Sequence, residues 1–398
     1  MPNDVTALMD KILARFHMHA RQKTLMPALV NSDFDVEAKR KGSTIDVAVP
    51  AVLDAYEILP GATRSQGNTV DVKTVQVPLD KWYGNGFALT DKEVGEINTN
   101  DKFLPMQAIE CLEGLLREIN RSIFAEYYGV YGFTGVAGQT PFQKIVTPAT
   151  QTDDRYDTHV LSASRGVLNR QLAPPERRRF VMDVDADTNA TRLEAFRDAS
   201  KRGDANTNRE GEIGRASGFD CFWEHQIPTH TAGTLTGDPT VQGVNAAAPN
   251  DRESTVVLAT DADDAIALKK GDVVRFSGDT QTYAVLEDLT VGNSATGSLK
   301  VSPGLKVATA GGETISVEGD HVVNLGFHWG AFAFAMRVMQ DLNLPTAAGA
   351  VIRTLQDPKT GMVFRLELKR EHKQTYFEID SLWGTKLVLP HLANRAAG

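Results

Sequence analysis

The sequence predicts a mixed α+β chain in which a long helix and an α/β part carry a separate β-rich segment. Three observations predict this. Ile109, Leu112, Leu116, Ile119, Ile123 and Tyr127 recur at three- and four-residue spacing, which places them on one helix face. Apolar and polar residues alternate along TIDVAVP (44–50) and TVDVKTVQVPL (69–79), the period of a half-exposed strand. From about 231 to 322, short β-rich runs are separated by Gly, Asp, Asn and Ser, and no helical spacing interrupts them.

The N-terminal region, 1–41, reads as an arm. Val5, Leu8, Met9, Ile12, Leu13 and Phe16 give a short helix one apolar face, Pro27 ends the helical pattern, and NSDFD follows as loop. Residues 42–82 read as an extended two-stranded hairpin around the turn-rich LPGATRSQGN at 59–68. An isolated hairpin is marginal in water, so this one must lie against something else. Residues 83–150 hold the long helix, with Pro105 at its start and Gly129 at its stop. In 151–230, a helix at about 156–171 leads through Pro174 and Pro175 into the strand RRFVMDV. A helix near Leu193–Ala199 and the strand-like GFDCFWEHQIP follow. The runs STVVLA, DVVRFSG, TYAVLEDL, SLKVSPGL and ETISVEG make 231–322 a small barrel or sandwich. The chain is then expected to return to helix at NLGFHWGAFAFAMRVM within 323–355, and 356–398 reads as successive strands.

Composition narrows the function classes. With 41% hydrophobic and 23% charged residues the chain reads as soluble and globular, and its longest apolar runs fall short of the ~20 residues of a membrane span. The N-terminus lacks the pattern of a signal peptide, so synthesis in the cytoplasm is expected. Two cysteines, Cys111 and Cys221, are too few for a disulfide framework or zinc cluster and are expected to pack as small apolar residues. A net charge of −9 argues against a surface that neutralises many phosphates.

The order of parts, with KGSTIDVAVP, LDKWYGNGFALTDKE, GRASGFDCFWEHQIPTHTAGT, LKKGDVVRFSG, NLGFHWGAFAFAMR and GMVFRLELKREHKQTYFEIDSLWGTKLVLP, resembles the coat-protein family of short-tailed transducing bacteriophages. The resemblance implies a Hong Kong 97-like capsid fold. Its parts would be an N-arm, an extended β-hairpin loop, a long spine helix, an axial α/β domain and an inserted β-barrel-like domain. It also implies pentamers and hexamers of this chain closing an icosahedral shell around double-stranded DNA without sequence-specific binding. A separate scaffolding protein, a portal protein and possible decoration proteins would be its partners, and the virion its final location. An encapsulin-like nanocompartment is the nearest rival reading, and a calcium-binding surface protein is the rival from another class.

No enzyme motif is present: GxSxG, GxxxxGK[ST], strand-linked GxGxxG, HExxH and paired CxxC are all missing, and no cofactor is expected. In DVDADTNATRLE, Asp183, Asp185, Asp187 and Glu194 occupy positions 1, 3, 5 and 12 of a calcium loop, but Thr188 stands where the sharp turn needs Gly. A solvated loop that caps the next helix is the plain alternative. His225 and His230 flank Pro228 and read as packing or surface histidines. ERRR (176–179) reads as a solvated strand start or an interface patch, and KREHK (369–373) as the exposed end of a hairpin. Candidate subunit-interface residues are Glu57, Arg64 and Lys73 in the extended loop, with Arg177 and Arg178 in the basic run.

Overall fold

The apolar stripe folds as the sequence predicts. Met106–Phe124 is α-helical and Ala125–Gly129 continues it as a 3-10 turn, with Leu112, Leu116, Ile119 and Ile123 buried. Arg121 in the last turn suits the negative end of the helix dipole. The computed structural model describes residues 25–32, 44–49, 74–93, 106–143, 159–198, 211–249, 251–337, 339, 351–356 and 361–398. The arm helix expected around Val5–Phe16, Pro105 and the 59–68 turn lie outside the described residues.

The long helix packs against a five-stranded antiparallel sheet. The spine of that sheet is Gln374–Leu387, which pairs with Val363–Glu371 through its first half and with Phe332–Arg337 through its second. Val351–Gln356 extends the sheet beyond Val363–Glu371, while Lys81–Thr90 pairs along Gln374–Trp383. Between Glu371 and Gln374 the chain turns at His372 and Lys373, so the KREHK run does form an exposed hairpin end.

A second, mixed sheet runs in the order Gly132–Gly135, Ala393–Ala397, His321–His328, Arg178–Met182, Phe219–Trp223, Arg215–Ala216. The helix His159–Arg170 packs on its first two strands. Both sheets and both helices share one apolar core. Cys111 lies within this core and Cys221 packs against it, as the sequence suggests.

The β-rich segment builds its own core. Val241, Val256, Leu258, Val274, Phe276, Tyr283, Leu299 and Val301 from a six-stranded sheet meet Ile266, Leu268 and Val291 from a three-stranded one. Each of the five predicted runs there overlaps a strand, Ser254–Ala259, Val273–Phe276, Tyr283–Val285, Thr296–Ser302 and Ile315–Val317, and Ala265–Leu268 and Leu289–Val291 are further strands.

Thr44–Ala48 and Thr74–Pro78 pair antiparallel, as the alternation predicts. Ile45, Val47, Val75 and Val77 are buried, and their cover comes from elsewhere in the chain: Ala333, Ala335 and Val388. The two strands approach the big sheet so closely that a Cβ on Gly384 would lie 2.1 Å from the Pro78 carbonyl oxygen. Backbone cannot yield as a side-chain tip can. Gly384→Ala is therefore expected to cost about 1–3 kcal/mol and to displace this strand pair. Urea unfolding, with limited proteolysis at 44–78, checks it.

Three expectations are corrected. The expected helix at 324–339 is not formed over 324–337: His321–His328 and Phe332–Arg337 are strands, joined by a turn at Gly330. Nearly every residue in both is buried, and a continuous apolar run suits a central strand as well as a buried helix. Pro27 begins rather than ends a helical turn, Met26–Leu29, because proline needs no backbone N–H partner in a first turn. The loop expected at 184–192 is a helix, Val184–Arg192, followed by the short turn Glu194–Arg197. Among the described residues no helix is long and apolar enough to cross a membrane.

Candidate functional site

Between the main core and the core of the β-rich segment lies a buried polar cluster drawn from distant parts of the chain. Tyr127 comes from the 3-10 turn, His230 from the strand Thr229–His230, Asp272 from the loop before Val273–Phe276, His321 from the start of its strand, and Arg395 from the C-terminal strand. His230, Asp272, His321 and Arg395 are all at most 3% exposed.

Asp272 is the centre of this cluster. It accepts from His230 Nε2 at 2.8 Å, from the Lys269 N–H at 2.7 Å and from the Gly233 N–H at 3.1 Å. A carboxylate facing donors fixes the tautomer: Nε2 carries the hydrogen toward Asp272, leaving Nδ1 to accept from the Tyr127 hydroxyl at 3.0 Å. Arg395 donates to the Gly271 carbonyl at 2.6 Å and to the Tyr128 carbonyl at 3.1 Å, with its guanidinium 5.0 Å from the Tyr127 ring centroid. Burial pulls its pKa down to about 10, opposed by Tyr127 and Asp272. Burial pushes the Tyr127 hydroxyl up.

Gly271 is what lets the loop come in. Its φ is +92°, and a Cβ there would lie 2.3 Å from Tyr128 Cδ1 and 3.3 Å from His230 Cε1. Beside the polar cluster, Phe133, Val273 and Ala397 form a small apolar contact across the same junction, and the Thr282 hydroxyl donates to the Tyr131 carbonyl at 2.6 Å.

Sequence reasoning missed this cluster. Its members span positions 127 to 395, and no local spacing links them. The one local signal was KKGD at 269–272, a glycine before an aspartate ahead of a strand, which marks a turn and nothing more.

The residues singled out from sequence fare differently. Glu57, Arg64 and Lys73 lie outside the described residues. Arg177 is exposed, at a φ of +50°, with its guanidinium 5.3 Å from the Trp329 ring centroid. Arg178 is 3% exposed in the single chain, and its guanidinium donates inward to the carbonyls of Pro174 (2.8 Å) and Ala173 (2.6 Å), so it is not the solvated strand start that the basic run suggests. Arg179 likewise donates to the Leu29 carbonyl.

Asp183 is the N-cap of Val184–Arg192, accepting from the N–H groups of Asp185 (3.1 Å) and Ala186 (3.4 Å). Asp185 and Asp187 stand in that helix's first turn, and Glu194 is exposed at the start of the next. Burial pushes the Asp183 and Asp187 carboxyls up. Among the described residues, no three His, Cys, Asp or Glu side chains are grouped to hold a metal ion.

No protein-family model matches the chain, and no curated protein matches it in sequence. Solved structures do resemble it. A chain from Mycobacterium phage Che8 is 11% identical with a TM-score of 0.49, covering 94% of this chain and 91% of that one. The capsid structure of the cyanophage P-SCSP1u gives 10% identity and 0.46, covering 90% and 84%. A virus-like particle from Pyrococcus furiosus gives 7% and 0.40, covering 97% and 98%.

Proposed function

We propose that this chain is a coat-protein subunit that assembles into a closed shell. The observation that carries the reading is the strand pair Thr44–Ala48 and Thr74–Pro78. Only one face is buried, its cover belongs to another part of the fold, and residues 50–73 connect the two strands. Its apolar face is covered within the chain, but among the described residues the pair forms a ribbon of two strands only, and open strand edges are suited to pairing with a neighbouring subunit. The sequence resemblance to phage coat proteins supports the same reading.

In this reading the subunit makes repeated heterologous contacts that close into rings of five and six, and the rings close an icosahedral shell around double-stranded DNA. Glu57, Arg64 and Lys73 in the connection, with exposed Arg177, supply charge pairs to the neighbour. Scaffolding and portal proteins are the partners that assembly of such a head calls for, with decoration proteins a further class. The virion is where the chain ends up.

Electron microscopy of the purified chain, alone and co-expressed with a scaffolding protein, tests the proposal. Uniform closed shells are expected, and a persistent monomer under both conditions would overturn it. Deleting residues 56–68 is expected to abolish regular shells while the subunit's unfolding free energy stays within about 1 kcal/mol of the parent, since the entropy of closing a connection changes slowly with its length. Normal shells from the deletion variant would remove the role given to the ribbon.

A further inference from the structure

The β-rich segment and the main body have separate apolar cores, and between them lie the Tyr127–His230–Asp272–Arg395 cluster and the small apolar contact of Phe133, Val273 and Ala397. The chain leaves and re-enters the body through adjacent strands, with His230 paired to His321 and Thr229 to Val322. That arrangement is a hinge: two neighbouring connections, and beyond them a docking surface built on Gly271, Asp272 and Arg395.

His321 stands at this hinge and takes no part in the Asp272 contacts. Its Nδ1 is 2.8 Å from the Gly319 carbonyl, which can only accept, so Nδ1 carries the ring hydrogen. Nε2 is then an acceptor, and this buried atom has no hydrogen-bond partner. The ring centroid lies 5.3 Å from that of His230 and 5.3 Å from that of Phe133. The Nε of Arg395 is likewise buried without a partner.

We propose that the junction is an acid-sensitive latch: protonation of His321 releases the β-rich segment from the body, which stays folded. A proton on Nε2 would create a second buried cation next to Arg395 and a donor with nothing to accept it. Undocking along the hinge brings both to water. The proposal stands independently of the coat-protein reading.

The groups around His321 set the sign. From the C-terminal strand comes Arg395, from the paired strand His230, and from the docking loop Asp272, with Lys269 and Lys270 flanking it. The 3-10 turn brings Tyr127 and Tyr128, and the approach to His321 itself carries Glu318, which pairs with Arg275, and Asp320, which accepts from the Ala232 N–H. His321 is lowered to about 4 in all: burial lowers it most, the Gly319 carbonyl and Asp272 oppose that, and Arg395 and His230 add to the lowering. A histidine with its docked pKa depressed from 6.5 to about 4 takes up a proton on release. Docking is therefore at full strength above pH ~6.5, weakens as pH falls, and levels off below about 4. The full window corresponds to a factor of about 300, of which about 20-fold is lost between pH 7 and pH 5.

Hydrogen exchange of the full-length chain, corrected for the intrinsic pH dependence, reads this directly. Peptides spanning 127–133 and 265–273 are expected to lose protection about 20-fold from pH 7 to pH 5, while peptides from 363–371 do not change. In His321→Gln the acid-dependent loss is expected to vanish. Unchanged protection in the parent chain, or an undiminished loss in His321→Gln, would overturn the latch. If that variant does not fold, exchange at the His321 ring C2 hydrogen of the parent replaces it. A midpoint well below 6 that tracks the loss of protection supports the proposal, and an ordinary midpoint with protection intact defeats it.

Discussion

Asp272→Ala is expected to destabilise the subunit by about 3–5 kcal/mol, the range seen when one partner of a buried charged network is removed. The side chain is 0% exposed, and truncation strips acceptors from His230 and from the N–H groups of Lys269 and Gly233 at once. It also removes the carboxylate that offsets the buried Arg395. Asp272→Asn keeps the shape and part of the accepting capacity, so its loss should be about 1–3 kcal/mol. Urea unfolding with the m-value compared across variants is the measurement. An alanine variant within 1 kcal/mol of the parent would mean that these contacts carry little of the docking.

Trp383→Ala is expected to cost about 3–5 kcal/mol, because a fully buried Trp leaves a cavity its neighbours cannot close. Trp383 packs against Tyr83, ring centroids 5.4 Å apart, and donates from Nε1 to Ser122 Oγ at 2.9 Å. The Ser122 hydroxyl in turn donates to the Ile119 carbonyl at 2.7 Å, so this one side chain ties the central strand of the big sheet to the long helix. Trp383→Phe keeps most of the apolar contact and removes the hydrogen bond. Its expected cost, about 1–2 kcal/mol, separates the polar from the packing contribution. Thermal unfolding of both variants checks the order, and equal losses would show that packing contributes little beyond the bond.

The two variants probe different levels of organisation. Trp383 lies inside one core, whose loss affects helix and sheet together. Asp272 lies between cores, where a polar contact holds two parts that each have apolar interiors of their own. When such a junction opens, water can satisfy the freed polar groups, so opening costs less than it would for apolar packing of the same area.

Reading the sequence alone reached the elements whose burial has a period. The stripe from Leu112 to Ile123 and the alternation of Ile45, Val47, Val75 and Val77 each mark a buried face, because helix and strand geometry bring such spacings to one side. The short β runs between 254 and 317 were legible for the same reason. Where both faces are buried the period disappears, so the run from Asn324 reads as helix while His321–His328 and Phe332–Arg337 are strands. Arg178 looked like surface charge, yet the carbonyls of Ala173 and Pro174 accept its donors inside the fold. Of the Tyr127–His230–Asp272–Arg395 cluster, the order of residues showed only the turn at 269–272. Periodicity is a local property that the sequence determines by itself. Which buried polar group meets which depends on chain segments hundreds of residues apart, and only the tertiary structure decides that.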